Sequence, residues 1–282
     1  MLCNLKNLKR FFLFAGDQKI EHLNKDFYGQ DIPEECLDPK HLFEIASKSR
    51  ISAFATQLGL IDLYSKDFEN INYVVKLNSK TDLVSIKISD PISLLLNTVE
   101  QVVEFKKSTG LPIIGIGYTV YLGSKYEAKM LSEAAQSVFK AHQNGLIAIL
   151  WMYPRGISIK NEFDVNLIAG AAGVGAALGA DFVKVNVPEA KNVIDSSNFL
   201  KRVSGAAGKT KVLCSGGKKY DNKEEFLEKI YYQIKIGDVS GCAIGRNIYQ
   251  NKVEDAVKFC KAIASIVLDD NDLDQAKKIL QK

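Results

Sequence analysis

Long apolar runs are absent from this sequence of 282 residues. A membrane-spanning helix needs roughly 20 consecutive apolar residues, and no segment approaches that length. The apolar patch near the start ends at Asp17, which is too soon for a signal sequence. We therefore expect a soluble, cytoplasmic protein that does not enter a membrane.

Paired cysteine spacing is also missing. None of the five cysteines belongs to a C-x-x-C motif, and their odd number does not suit a complete disulfide framework. Three of them lie in apolar strand or helix contexts, where a thiol behaves as a small hydrophobic group. We predict reduced core thiols, and neither a disulfide frame nor a metal site, at Cys3, Cys36, Cys214, Cys242 and Cys260.

Two further absences narrow the class of protein. The formal net charge is only +4, and no basic cluster alternates with aromatic residues, so nucleic-acid binding has little support. No G-x-G-x-x-G follows the first predicted strand, where a dinucleotide-binding fold would have it. The mild positive excess is compatible with a phosphorylated substrate, although it also occurs in proteins that bind none.

What the sequence does contain is a repeated alternation of short β-branched runs and longer segments with helical spacing. The predicted strands are 11–17, 52–59, 72–78, 112–121, 146–154, 180–188, 211–217 and 240–247. The predicted helices are 39–50, 60–68, 92–108, 125–144, 164–178, 196–204, 223–236 and 253–268, with an additional helix at 272–282. Strand–helix units of this number and length predict a single α/β domain over 1–282, a (β/α)8 TIM barrel with an extra C-terminal helix. An open doubly wound sheet is the alternative.

Polar residues close several of the predicted strands, which is where a barrel places its active site. The segment 180–188 carries Lys184 among apolar neighbours, and 72–78 carries Lys76 in the same way. A buried amine has a lowered pKa and becomes a nucleophile that forms Schiff bases. Such a lysine also serves to brace a barrel through an ion pair, and the spacing alone does not rank Lys184 against Lys76.

The last two strands end in glycine-bearing segments. Barrels commonly bind phosphate in the loops after strands 7 and 8, where glycine exposes backbone N–H groups and one cation completes the site. The sequences SGG at 215–217 and GRN at 245–247 occupy these places. Glycines in tight turns are the simpler explanation for either segment alone. Together the two segments favour a phosphate site.

Seven segments in order, each at a strand end, resemble the archaeal-type class I fructose-1,6-bisphosphate aldolases, which are Schiff-base aldolases with (β/α)8 folds. The resemblance spans about residues 11–268. The segments are FAGDQKIEHLNKDF (14–27), VVKLNSKTDL (74–83), GYTVYLGSKYE (117–127), ILWMYPRG (149–156), ADFVKVN (180–186), LCSGGKK (213–219) and AIGRNIYQ (243–250).

The resemblance implies a set of catalytic residues. Lys184 matches the lysine that forms the Schiff base, Tyr153 the tyrosine that donates and accepts protons, and Asp17 the aspartate that assists proton transfer. It also implies substrate-binding residues: Gln18, His22, Asp26, Trp151, Ser215, Gly216, Gly217, Gly245 and Arg246. Against these roles, His22 could be a surface histidine, Trp151 ordinary core and Asp26 a helix cap.

The chain departs from the family at 17–19, where many relatives have DHG and this chain has DQK. Gln18 forms hydrogen bonds but does not titrate near neutrality, which leaves imine chemistry intact and affects sugar-phosphate preference. The resemblance further implies no cofactor and no metal, and three scattered histidines disfavour a metal-dependent aldolase. It implies a homo-oligomer of ring type, a decamer being one form.

Three hypotheses follow for function. The first is reversible cleavage of fructose 1,6-bisphosphate to dihydroxyacetone phosphate and glyceraldehyde 3-phosphate through a lysine Schiff base. The second is a related lysine-dependent reaction of another phosphorylated ketose, such as a transaldolase-like transfer in aromatic precursor synthesis or a thiolase-like step. The third is a degenerate barrel that binds or scaffolds without catalysis, which would predict loss of Lys184, Tyr153 or the phosphate loops.

Overall fold

Residues 9–281 are described by a computed structural model, in which eight parallel strands form a closed barrel. The strands are β1 (Phe11–Ala15), β2 (Ala53–Thr56), β3 (Tyr73–Lys76), β4 (Ile113–Leu122), β5 (Ile147–Pro154), β6 (Phe182–Val185), β7 (Lys211–Ser215) and β8 (Gly241–Ile244). Seven of the eight fall inside the predicted segments, and β4 ends at Leu122, one residue beyond the predicted 112–121, because the apolar runs that form strands are local features of the chain.

The strands pair in chain order, and β8 returns to β1 to close the barrel. Leu13 lies opposite Ala53 of β2, and Phe11 lies opposite Gly241 of β8. Closure removes both sheet edges and places all eight carboxyl ends at one mouth. The predicted (β/α)8 TIM barrel is confirmed.

Helices surround the barrel and connect its strands. They are α1 (Gln18–Glu21), α2 (Lys40–Lys48), α3 (Leu58–Tyr64), α4 (Val99–Thr109), α5 (Glu127–Gln143), α6 (Val165–Ala177), α7 (Val193–Ala207), α8 (Lys223–Lys235), α9 (Arg246–Tyr249), α10 (Val253–Val267) and α11 (Leu273–Gln281). The predicted additional helix corresponds to α11, which packs against α8 and α10. The short α1 and α9 were not predicted, because four residues are too few to show helical periodicity.

One predicted helix start is wrong. The helix predicted at 92–108 begins at Val99, because Thr98 and Gln101 form a capping box that fixes the first turn there. Residues 94–95 instead pair with Asn78–Ser79 in a two-stranded antiparallel sheet beside the mouth of the barrel. Asn78, predicted to be the last residue of the third strand, therefore lies outside the barrel sheet.

The barrel interior is apolar from the amino ends of the strands to their middle. Phe11 and Phe182 contact each other there with ring centres 4.8 Å apart, and Leu13, Leu213 and Ala243 surround them. The outer faces of the strands pack against the helices in a second, larger core. This arrangement leaves the polar residues at the carboxyl ends of the strands as the upper layer of the interior.

Four of the five cysteines lie within the described residues, and all four are buried free thiols, as predicted: Cys36, Cys214, Cys242 and Cys260. Burial raises the pKa of Cys36 to about 11 and that of Cys214 to about 12. These thiols are therefore protonated at neutral pH. Cys3 lies outside the described residues. Within 9–281, no helix combines the length and apolar character that a bilayer span requires.

Candidate active site

A pocket opens at the mouth of the barrel between the carboxyl ends of β1, β5, β6, β7 and β8. All the predicted site residues except Asp26 line it: Asp17, Gln18, His22, Trp151, Tyr153, Lys184, Ser215, Gly216, Gly217, Gly245 and Arg246. Residues from five strands meet here because barrel closure gathers all carboxyl ends at one mouth. The remaining pocket residues are Glu21, Arg155, Asn186 and Ala243.

Lys184 is buried on the interior face of β6, with 4% of its surface exposed. Its register partners are Trp151 of β5 and Leu213 of β7. Burial lowers the pKa of Lys184, and the Arg246 guanidinium lowers it further, while the carboxylates of Asp17 and Glu21 oppose this shift. A lysine held in this way is neutral, and therefore nucleophilic, over a wider pH range than a surface lysine.

The second buried lysine, Lys76, is engaged elsewhere. Its Nζ donates to the carbonyl oxygen of Asn78 at 2.6 Å and to Asn78 Oδ1 at 2.9 Å. Asn78 is held in turn by hydrogen bonds to the backbone of Thr119 at 2.8 Å. Burial, together with the nearby Lys184 ammonium, lowers the pKa of Lys76 to about 8 against the attraction of Asp17 and Glu21. Because Lys76 does not line the pocket, the structure separates two lysines that sequence spacing could not rank.

Asp17 and Tyr153, the two residues predicted to act in proton transfer, both line the pocket. Asp17 is 8% exposed at the end of β1. Burial raises the pKa of Tyr153 well above its ordinary value, and the Asp17 carboxylate raises it further, although Arg155 counteracts this. The phenol is therefore protonated at neutral pH and able to act as a proton donor.

Unpaired polar atoms are concentrated in this pocket. Within residues 9–281, eight buried side-chain nitrogen or oxygen atoms have no hydrogen-bond partner, and four of them belong to pocket residues. An unpaired buried group costs about 1–3 kcal/mol, so such a cluster is typical of a site that pairs with a ligand. The four atoms are two acceptors and two donors, which suit a polyhydroxylated ligand: Asp17 Oδ1, Gln18 Oε1, Trp151 Nε1 and Asn186 Nδ2.

The predicted phosphate segments lie side by side after β7 and β8. Gly217 has a φ of +73°, a left-handed conformation that favours glycine. A Cβ on Gly245 would lie 2.7 Å from the carbonyl oxygen of Ala15 and 2.8 Å from the side chain of Gln18, so only glycine fits between β8 and the β1 loop. Arg246 follows directly and lines the pocket, and its guanidinium is a cation of the kind that binds phosphate.

Asp26 lies behind the pocket wall, outside the set that lines it. Its carboxylate binds His22 Nδ1, accepts from Tyr249 Oη at 3.3 Å and lies 3.6 Å from Arg246 Nε. Burial alone would lower the pKa of His22, but the bond to Asp26 raises it above the ordinary value. Asp26 caps no helix here; it orients two residues that do line the pocket, His22 and Arg246.

Three polar pocket residues were not among the predicted site residues. Glu21 accepts a hydrogen bond from Tyr121 Oη at 2.7 Å, and Arg155 is bound by Glu162 through Nε and Nη2 at 2.9 Å and 2.7 Å. The third is Asn186. Local signals existed for all three. Glu21 follows Asp17 by one helical turn, and Arg155 and Asn186 each stand two residues beyond a predicted site residue, on the same face of the chain.

The carboxylates and imidazole at the edge of the pocket have the spacing of a cation site. Ligand atoms of Glu21, His22 and Asp82 lie within 4.8 Å of one another. These groups already have partners, however: His22 binds Asp26, and Asp82 binds Lys80. Asp82 is exposed, and the group already forms ion pairs. We therefore interpret it as a solvated polar cluster.

The fold and the pocket define a (β/α)8 barrel enzyme whose polar groups converge on a buried lysine. Residues 11–251 match the family described as DeoC/LacD family aldolase, and the chain belongs to that family. The protein is therefore an aldolase, a lyase that makes or breaks carbon–carbon bonds.

Three similar proteins illustrate the relationship. A protein of Methanocaldococcus jannaschii named fructose-bisphosphate aldolase/6-deoxy-5-ketofructose 1-phosphate synthase is 51% identical over 274 residues, which cover 97% of this chain and 86% of the relative. The structure of a fructose-bisphosphate aldolase from Slackia heliotrinireducens has a TM-score of 0.94 at 47% identity, covering 98% of this chain and 86% of that one. The structure of a Schiff base forming fructose-1,6-bisphosphate aldolase has a TM-score of 0.79 at 30% identity, covering 92% of this chain and 94% of that one.

Proposed function

We propose that this protein is a class I fructose-1,6-bisphosphate aldolase whose Schiff base forms on Lys184. The observation that carries the proposal is the position of Lys184 in the pocket that also contains the two glycine segments and Arg246. Its lowered pKa increases the fraction of the amine that is neutral, and the glycine segments are placed to hold the phosphate of a ketose beside it. The similarity to a structure titled as a Schiff base forming aldolase supports the same chemistry.

The proposed reaction begins with addition of the amine to the ketone. The lone pair of Lys184 Nζ forms a bond to C2 of the ketose, and the carbonyl π electrons move to oxygen. The oxygen takes up a proton and the nitrogen releases one, which gives the carbinolamine. A second proton on that oxygen lets the C2–O bond break with loss of water, leaving a protonated imine. The imine then accepts the electron pair of the C3–C4 bond as that bond breaks, so that an enamine and an aldehyde result.

Tyr153 and Asp17 are placed to move the protons. The 4-hydroxyl proton must leave as C3–C4 breaks, and C3 must gain a proton before the second product is released. The protonated phenol of Tyr153 is a donor at neutral pH. Asp17 has an unpaired carboxylate oxygen in the pocket, which is available as an acceptor.

Trapping the imine tests this proposal. The full-length protein is incubated with dihydroxyacetone phosphate and borohydride, and intact mass and peptide mapping locate the reduced adduct. We expect one adduct on Lys184, and none in Lys184→Met or in Lys184→Arg, which keeps the charge but has no amine able to form the imine. A folded wild-type protein without any adduct would falsify the Schiff-base function.

A second candidate function is synthesis of 6-deoxy-5-ketofructose 1-phosphate, which the name of the 51% identical relative includes. This ketose has the same C2 ketone and 1-phosphate as fructose 1,6-bisphosphate but no phosphate on C6. One feature of the pocket favours it: Arg155, the cation on the β5 side, is already bound twice by Glu162. A neutral end of the substrate would need no free cation there.

The two functions are separated by the aldehyde that the enamine accepts. With dihydroxyacetone phosphate as the common donor, kcat/KM is measured for glyceraldehyde 3-phosphate and for 2-oxopropanal, whose addition through its aldehyde carbon gives 6-deoxy-5-ketofructose 1-phosphate. A higher value with glyceraldehyde 3-phosphate assigns the bisphosphate reaction as the main one. A higher value with 2-oxopropanal assigns the synthase reaction, and the Lys184 adduct is expected in either case.

A further inference from the structure

Asn186 occupies a defined place in the upper layer of the barrel interior. Lys184 is in register with Trp151 on one side and Leu213 on the other. Two residues further toward the mouth lie Tyr153 of β5, Asn186, which follows directly after β6, and Ser215 of β7. Asn186 lines the same pocket as Lys184 and lies one level nearer the mouth. It therefore lies between the proposed proton donor and the phosphate segments.

The side chain of Asn186 is buried and only half paired. It is 9% exposed, and its Oδ1 accepts a hydrogen bond from Ser215 Oγ at 3.2 Å. Its Nδ2 has no partner among the described residues and is buried in the pocket wall. The bond to Ser215 holds the amide with its oxygen toward β7, which leaves the NH2 group as the free end. A buried donor of this kind pairs with an acceptor that the ligand brings.

We propose that Asn186 Nδ2 donates a hydrogen bond to the C2 oxygen of the substrate while Lys184 adds to C2. This inference rests on the proposed Schiff-base function. In the proposed arrangement the C1 phosphate binds at the glycine segments, C2 lies against Lys184 Nζ, and the C2 oxygen points toward Asn186, since all of these residues line one pocket. As electrons move onto that oxygen during addition, a fixed donor stabilises the growing charge.

An amide has no proton to give up at neutral pH, so the role of Asn186 differs from that of Tyr153. Tyr153 transfers the protons that convert the C2 oxygen to water, and Asn186 holds the oxygen in line for them. Loss of the donor should therefore slow imine formation and leave binding of the phosphate group unchanged. A residue that only supported the fold would alter both.

The test measures the rate of borohydride trapping under single-turnover conditions for the wild type, Asn186→Ala and Asn186→Asp. The aspartate variant keeps the shape and the acceptor for Ser215 Oγ while removing the donor. Rates are taken on the pH plateau so that a shifted Lys184 pKa does not contribute. We expect both variants to trap the ketone about 100-fold more slowly, and Asn186→Ala to retain its affinity for inorganic phosphate. Asn166→Asp on the exposed surface of α6 is the charge-matched control and should behave as wild type.

A comparison of two ketone substrates identifies which substrate oxygen accepts the hydrogen bond from Asn186 Nδ2. Hydroxyacetone phosphate has the C2 ketone of dihydroxyacetone phosphate but no hydroxyl on C3. An equal loss of rate with both ketones supports the C2 oxygen as the acceptor. A loss confined to dihydroxyacetone phosphate, an unchanged rate, or a parallel loss of phosphate affinity overturns the inference. The wild type separates this result from the larger proposal, since absence of its Lys184 adduct would reject the Schiff base itself.

Discussion

The amine of Lys184 lies 5.2 Å from the centre of the Trp151 indole ring, inside the mouth of the barrel. Trp151 is the only tryptophan in the chain. The indole therefore contacts the proposed nucleophile and is also the single source of tryptophan fluorescence. A change in the charge of the amine, or a ligand beside it, alters the surroundings of one chromophore.

We predict that dihydroxyacetone phosphate changes the tryptophan fluorescence of the protein in two phases. A fast phase reports binding of the phosphate group, and a slower phase reports conversion of the Lys184 amine to an imine beside the indole. Stopped-flow fluorescence measures both. Lys184→Met should keep the fast phase and lose the slow one, and inorganic phosphate should give the fast phase alone. A slow phase that persists in Lys184→Met would contradict the prediction.

Replacement of the second buried lysine should affect stability more than chemistry. Lys76→Met removes the Lys76 donor to the Asn78 carbonyl oxygen and one of the two donors to Asn78 Oδ1, which is expected to lower the free energy of unfolding by about 1–3 kcal/mol in a denaturant titration. The reduced adduct should still form on Lys184. A folded Lys76→Met protein that yields no adduct would move the Schiff base to Lys76.

The pH dependence of imine trapping should change when the negative charge of Glu21 is removed. Glu21 raises the pKa of Lys184 because a nearby negative charge stabilises the ammonium form. Glu21→Gln removes the charge and keeps an acceptor for Tyr121 Oη, so the pKa of Lys184 falls. The rising limb of trapping rate against pH should then move to lower pH.

Glu162→Gln is the matched control for this shift, because it removes the same charge from the residue that binds Arg155. Its pH profile should stay near that of the wild type. An unchanged limb in Glu21→Gln, or a limb displaced to higher pH, would show that Glu21 does not influence the nucleophile.

Replacement of glycine by alanine is expected to have opposite effects on stability at Gly245 and at Gly59. Gly245→Ala puts a methyl group 2.7 Å from the carbonyl of Ala15, which should cost about 1–3 kcal/mol of stability and displace the phosphate segment after β8. Cleavage activity should fall about 100-fold, because a small misplacement of a bound substrate removes much of its alignment.

Gly59 in α3 has open space around its Cα and serves as the control. Gly59→Ala should raise the free energy of unfolding by about 0.5–1 kcal/mol and leave activity unchanged, since alanine favours helix more than glycine does. Thermal unfolding and an aldehyde-coupled assay measure both quantities. Full activity in Gly245→Ala would refute the close contact on which the phosphate segment depends.

The sequence by itself determined the elements whose signals are local. Short apolar runs define the barrel strands and place Lys184 and Lys76 among apolar neighbours, and the glycine-bearing segments at 215–217 and 245–247 mark the ends of β7 and β8. Even the misplaced start of α4 had a local signal, the Thr98-x-x-Gln101 capping box. These features depend on backbone geometry and on neighbours within a few positions.

Only the tertiary structure decided which of two buried lysines faces the pocket. Lys76 is held by Asn78, whose side chain is fixed by Thr119, 41 residues away in the chain. Glu21 joins the pocket through Tyr121, 100 residues away. Contacts of this kind exist only after eight strands close in one register, and no periodicity within a single segment encodes them. The arrangement of the polar residues at the mouth of the barrel therefore exists only once the barrel has closed.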